Sequence, residues 1–214
     1  HLGRPRPTPG GEGPSRLLAA LHREDPAPPF RPNPSMANHA GLHRNIDPYY
    51  TIRDIRTVKN LVHDLPLRTS ALRCLGGYAN IYALESFMDE LAHHVGVDPV
   101  SFRLRHLDDQ RACDVIEAAA KGIGWLQERD DDIGRGLAFS RYCNSKTYAA
   151  IAVELSVNEA AEINIHKAVV AADAGEVADV AGLKMQLEGG FLQAVSWTLY
   201  EEVNFDSDGI TSRD

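Results

Sequence analysis

Four short stretches of this chain carry residue types that can do chemistry. The first is Gln186-Leu187-Glu188-Gly189-Gly190. A glutamine beside a glycine pair on an otherwise apolar helix lets a ligand approach the backbone and meet an amide that both donates and accepts. Helix packing through the glycines explains the same residues. The second is Arg73, shortly before Gly76-Gly77. A guanidinium beside flexible backbone suits a phosphate or another oxyanion, and an ordinary surface arginine is the simpler account. The third is Asp173-Ala174-Gly175, which follows a strand pattern and opens a loop. Loops of this kind carry function, and they also carry plain turn aspartates. The fourth is His93-His94. Neighbours on a helix point about 100° apart, which is poor metal geometry and reads as a solvated face. Asp173 with His166 would serve a small hydrolase, a remote third reading. Neither a GxxxxGK loop nor an HExxH pair occurs.

The 214 residues suffice for one domain, and 43% hydrophobic against 24% charged residues is a globular composition. A formal charge of −8 with no basic stripe excludes an electrostatically driven nucleic-acid binder. Cys74, Cys113 and Cys143 form no CxxC pair and read as ordinary reduced cysteines. No apolar run approaches the ~18 residues of a membrane span. The first 30 residues lack the apolar core of a signal peptide. The expected compartment is the cytoplasm, with the periplasm open to a full complex. Nine of the twelve prolines lie within residues 1–34, so residues 1–42 read as an arm or linker and 43–214 as a packed body. The chain begins with His1 rather than Met, which is expected of a processed product or a part of something longer.

The positioning elements follow from periodicity. A short helix fits residues 15–23, and residues 49–66 alternate loosely as strand or extended chain. A loop over 69–80 precedes a helix with Leu84, Phe87, Met88, Leu91 and Val95 on one face and Glu85, Asp89 and Glu90 on the other. Asn80 is the expected N-cap and Gly96 the stop. Asp98-Pro99 opens a second helix to about His106. A third, about 112–121, turns Val115, Ile116 and Ala119 inward, with Gly122 and Gly124 ending it. Strands are expected at 136–143, 150–157 and 163–169, the last two as an antiparallel hairpin. A long helix covers about 181–200, where each of Gly189 and Gly190 costs roughly 1 kcal/mol relative to alanine. A strand at 201–205 and a turn at Asp208-Gly209 lead to a return strand from Ile210. That hairpin leads us to expect a polypeptide continuing past Asp214, or a partner strand completing the sheet. The fold class is α+β, an antiparallel or mixed sheet packed with helices.

These residues also carry a resemblance. Leu67-Arg68-Thr69-Ser70-Ala71-Leu72-Arg73 with Gly76, the block ALESFMDELAHHVGVDPVSFRLRHL (83–107), VVAADAG (169–175) and MQLEGGFLQAVSWTLYEEVNFDSDGITSRD (185–214) occur in one order. Together they resemble the molybdopterin-binding large subunit of the xanthine dehydrogenase/aldehyde oxidase family, most nearly its isoquinoline 1-oxidoreductase and nicotinate dehydrogenase branch. The likeness covers about 43–214; residues 1–42 match weakly.

The resemblance implies part of a molybdenum cofactor-binding domain in an enzyme that hydroxylates an aldehyde or N-heterocycle with water-derived oxygen. It implies a glutamate base and electrons leaving through iron–sulfur clusters. Arg73 matches the arginine of the loop lining the molybdenum site. Gln186 matches the glutamine of a QxEG motif lying against the cofactor. Gly76, Gly189 and Gly190 match glycines that let backbone approach. The family's catalytic glutamate and its glycine–phenylalanine loop have no counterpart here, so no residue of this chain is assigned a catalytic or metal-ligating role. The implied partners are the rest of the large subunit, an iron–sulfur electron-transfer subunit and a small-molecule substrate. The expected product of the chain alone is an inactive piece without bound molybdopterin. A different class of reading makes it a stand-alone binding or assembly module derived from that family, completing its open sheet through a homodimer.

Overall fold

The computed structural model describes residues 41–60, 72–206 and 209–212. Almost all of the expected arm, the helix at 15–23 and part of the loop at 69–80 lie outside them. Along the chain come α1 (Gly77–His94), α2 (Pro99–Arg105), α3 (Gln110–Ile123) and β1 (Ile133–Arg141). A 3₁₀ turn, Tyr142–Asn144, leads to β2 (Tyr148–Val157), β3 (Ile163–Asp173) and α4 (Val180–Leu199). The short strands β4 (Phe205–Asp206) and β5 (Gly209–Ile210) form the expected terminal hairpin. β1, β2 and β3 make an antiparallel sheet in sequence order. The α+β class and the β2–β3 hairpin are therefore borne out.

α3 is the helix that covers this sheet. Ala112, Val115, Ile116, Ala119, Ala120 and Ile123 are all buried, recurring at helical spacing. The Asp109 carboxylate accepts from the Arg111 N–H to cap its start, and Gly124, at φ +78°, closes its end. The expected second stop, Gly122, lies within the helix. There a Cβ would come 2.8 Å from a Val169 methyl, so helix and sheet are in close contact.

On β2 the large side chains do not mark the packed face. Tyr148, Ala150 and Ala152 lie buried under α3, while Ile151, Val153 and Leu155 stay half-exposed on the opposite face. The same face carries Leu137 and Phe139 of β1, paired with Ala152 and Ala150, so bulky and small side chains share the layer under α3.

α1 also departs from its pattern. The helix starts at Gly77, and Asn80 lies inside it, donating instead to the carbonyls of Leu42 and Arg44 at 3.0 and 2.8 Å. Phe87 and Val95 are exposed, and Glu85, expected outside, is buried. Glu85 turns inward because α2 supplies Arg103, fully buried, whose Nε donates to Glu85 Oε2 at 2.9 Å. The same oxygen accepts from the Phe139 N–H of β1, and Oε1 accepts from the Tyr50 hydroxyl at 2.7 Å. Arg103 also reaches Asp89 and the carbonyls of Glu85 and Pro99. Burial raises the Glu85 carboxyl's pKa even with Arg103 against it.

α2 begins as expected: Asp98 caps it through the Ser101 N–H, with Pro99 in its first turn. Gly96 at φ +65° ends α1. Residues 49–60 contain no strand. Tyr50 is buried by its bond to Glu85, but residues 51–58 are exposed, and among the described residues no strand pairs with them.

Candidate functional site

Two of the polar residues singled out in the sequence, Arg73 and Gln186, meet at α4. This helix is apolar along much of its length yet has no buried residue, and Val180, Met185 and Leu192 are exposed. Asp179 caps it through the Gly182 N–H at 2.9 Å. Gln186, Gly190 and Gln193 stand at i, i+4 and i+7, one face of the helix. Against that face lies Arg73. Its Nη1 donates to Gln193 Oε1 at 3.1 Å and its Nη2 to Gln186 Oε1 at 3.5 Å. A Cβ on Gly190 would lie 3.6 Å from Arg73 Nη2, an ordinary contact. A Cβ on Gly189 would meet nothing within 4 Å. So Arg73, Gln186 and Gly190 come together, and Gly189 faces open space beside them.

The loop that delivers Arg73 is held tightly. Cys74 and Leu75 both occupy the left-handed region, at φ +69° and +54°. Non-glycine residues there cost of order 1–3 kcal/mol each and persist only where the surroundings enforce them. The enforcing contacts are Leu75 N–H to Leu72 O, Gly76 N–H to Gly41 O and Gly77 N–H to Cys74 O, all 3.0–3.1 Å. Gly76 faces chain rather than open space: a Cβ would fall 2.4 Å from the Leu42 carbonyl oxygen. Its freedom from a side chain lets the loop lie on residues 41–42. On the next turn, Tyr78 meets Trp197 edge to face at 5.2 Å, tying α1 to α4.

Gln193 and Trp197 were missed by the sequence reading. A signal for Gln193 existed: it lies two helical turns after Gln186 on the same face.

The other candidates resolve differently. Asp173 receives Arg111 in a two-pronged pair, Nε to Oδ2 at 2.6 Å and Nη2 to Oδ1 at 2.7 Å, and accepts from the Gly175 N–H. It closes the β3 end onto α3. His166 stands seven residues before Asp173 along β3, about 23 Å away, and bonds Ser156 of β2. The two share no site, which removes the hydrolase reading. His93 and His94 sit in the last turn of α1. Among the described residues no group of three or more His, Cys, Asp or Glu is gathered for a metal, and the cysteines are free.

Arg111 holds the Asp173 carboxyl's pKa down from its ordinary 3.8 to about 2, with the Gly175 N–H assisting. A depressed folded-state pKa stabilises above the unfolded value and loses that contribution as pH falls through the folded one. Asp173→Asn is therefore expected to be less stable than the parent near neutrality. The gap should close between about pH 4 and pH 2, read from unfolding midpoints across that range. A gap unchanged at pH 2 contradicts the assignment.

Arg73, on its strained loop, thus lies against a glutamine–glycine stripe on a largely apolar helix. Comparison with known proteins names the class. The chain belongs to the molybdopterin cofactor-binding domain family, with one model of that description matching residues 79–214 and a second matching 30–107. The resemblance read from the sequence is thereby borne out. Among curated proteins it is similar to one of the subunits of nicotinate dehydrogenase from Pseudomonas putida, 32% identical over 192 residues, covering 81% of this chain and 16% of that protein. It is also similar to the beta subunit of isoquinoline 1-oxidoreductase from Brevundimonas diminuta, 34% identical over 127 residues, covering 57% and 16%. A membrane-bound aldehyde dehydrogenase (pyrroloquinoline-quinone) of Gluconacetobacter polyoxogenes is 24% identical over 166 residues, covering 69% and 22%. The chain thus spans about a sixth of the length of the first two relatives. Among the described residues no helix is long and apolar enough to cross a membrane.

Proposed function

We propose that this chain forms one wall of the molybdopterin pocket in the large subunit of a molybdenum hydroxylase, and is inactive alone. The complete enzyme would hydroxylate an aldehyde or N-heterocycle with water-derived oxygen and pass electrons to an iron–sulfur subunit. The observation that carries this reading is the convergence of Arg73, Gln186 and Gly190, the arginine lying 113 or more residues before the other two.

The donor set suits the cofactor. A pterin ring and its phosphate are rich in acceptors, which a guanidinium and primary amides can meet. The open space over Gly189 leaves backbone accessible on the same helix. When bound, the molybdenum cofactor supplies the oxidation–reduction chemistry. This chain's own residues bind and orient it: Arg73 as the fixed cation, Gln186 as the adaptable amide, and the glycines as the surface of approach. α4 has no buried residue and exposes Val180, Met185 and Leu192, which supports further subunit structure around it, since clustered apolar side chains are normally covered. Residues 1–42 would then be an arm on that larger body.

The test is cofactor content. In the complete protein, Arg73→Met is expected to lower molybdenum and released pterin by about tenfold after dialysis, the effect of one lost hydrogen bond to a charged group. The chain expressed alone should carry no molybdenum. Full cofactor content in the Arg73→Met protein, or near-stoichiometric metal in the isolated chain, would sink the reading.

A further inference from the structure

We propose that Gln193 is a positioning residue that aims the Arg73 guanidinium across α4 and thereby leaves Gln186 free to meet the ligand. The inference rests on the pocket-wall reading above and assigns a division of labour within it.

The two glutamines are not equivalent. Arg73 Nη1 meets Gln193 Oε1 at 3.1 Å, a well-formed hydrogen bond, whereas Nη2 meets Gln186 Oε1 at 3.5 Å, the outer limit of one. A guanidinium only donates, so each amide must turn its oxygen to Arg73 and its NH₂ elsewhere. At 3.5 Å Gln186 gives up little by leaving Arg73 for a ligand. At 3.1 Å Gln193 holds. Gln193 is also the more sheltered of the two, half-buried where Gln186 is exposed. Its backbone lies one turn from Trp197, which packs on Tyr78. The anchor thus stands where α4 is tied to α1, and Gln186 stands towards the exposed end carrying Met185. Gly190, between them, admits the guanidinium with a Cβ-equivalent distance of 3.6 Å.

A packing role and a positioning role predict opposite substitution patterns. On an apolar helix, leucine at 193 would satisfy packing and glutamate would not. Positioning needs an acceptor, so glutamate succeeds and leucine fails. The experiment compares Gln193→Leu, Gln193→Glu and Arg73→Met in the complete protein. It measures molybdenum by elemental analysis and released pterin by fluorescence after dialysis, with a thermal midpoint for each variant. Gln193→Leu is expected to retain about tenfold less cofactor at an unchanged midpoint, and Gln193→Glu to retain it. If Gln193→Leu keeps its cofactor, or if both Gln193 variants lose it equally, the positioning role is overturned. If Arg73→Met also keeps its cofactor, the pocket-wall reading itself fails, which separates the two outcomes.

Discussion

Arg103→Met is expected to destabilise the fold by about 3–5 kcal/mol, the range for removing one partner of a buried ion pair. Arg103 is fully buried and joins two helices: it bonds Glu85 and Asp89 of α1 and the Pro99 carbonyl of its own helix. Through Glu85 it supports the Phe139 N–H of β1 and the Tyr50 hydroxyl. Methionine matches much of the volume and none of the five donors. Glu85 would be left buried beside Tyr50 and a backbone amide with no cation, and its carboxyl, already raised by burial, would bind a proton at higher pH still. The companion experiment is Arg103→Met with Glu85→Gln, which removes the orphaned charge. It should recover part of the loss, measured by urea unfolding. A single variant within about 1 kcal/mol of the parent would show that the network contributes little.

Gly76→Ala is the second large effect, expected to cost about 3 kcal/mol, the upper end for overpacking. The added methyl would sit 2.4 Å from the Leu42 carbonyl oxygen and 2.8 Å from that of Gly41. Both obstacles are backbone, so no side-chain rotation relieves them, and the bond from the Gly76 N–H to Gly41 O would break. Gly76 itself has an ordinary helical φ of −66°, so the cost is steric rather than conformational. The turn it releases carries Arg73, and cofactor retention in the complete protein should fall with stability. Unfolding midpoints and molybdenum content read the two effects. Unchanged values for both would mean that the 41–42 segment yields freely.

The family resemblance marks Gly76 as a glycine that lets backbone approach, and the backbone that approaches it within this chain is that of residues 41–42. The same tight loop forces Cys74 and Leu75 to positive φ, a cost the surrounding contacts must offset.

Elements with local causes are legible in the amino-acid sequence. α2 announces itself through Asp98-Pro99, and α3 through apolar residues at helical spacing before Gly124. The β2–β3 hairpin follows from alternation. Each depends on neighbours a few residues away, where backbone geometry and side-chain period act. Arg73 and Gln186 stand out for another reason: both fall within the ordered blocks of sequence that carry the family resemblance.

Tertiary structure alone decided which face of a strand is packed and which charge is buried. Ala150 and Ala152, not Ile151 and Val153, lie under α3, since α3 packs on the face where Tyr148, Leu137 and Phe139 already supply the bulk. Glu85 turns inward because Arg103, eighteen residues later, makes its burial tolerable. Gln193 meets Arg73 because α4 returns beside a loop 120 residues earlier. These outcomes depend on the partner that long-range packing brings, and no local window of sequence contains it.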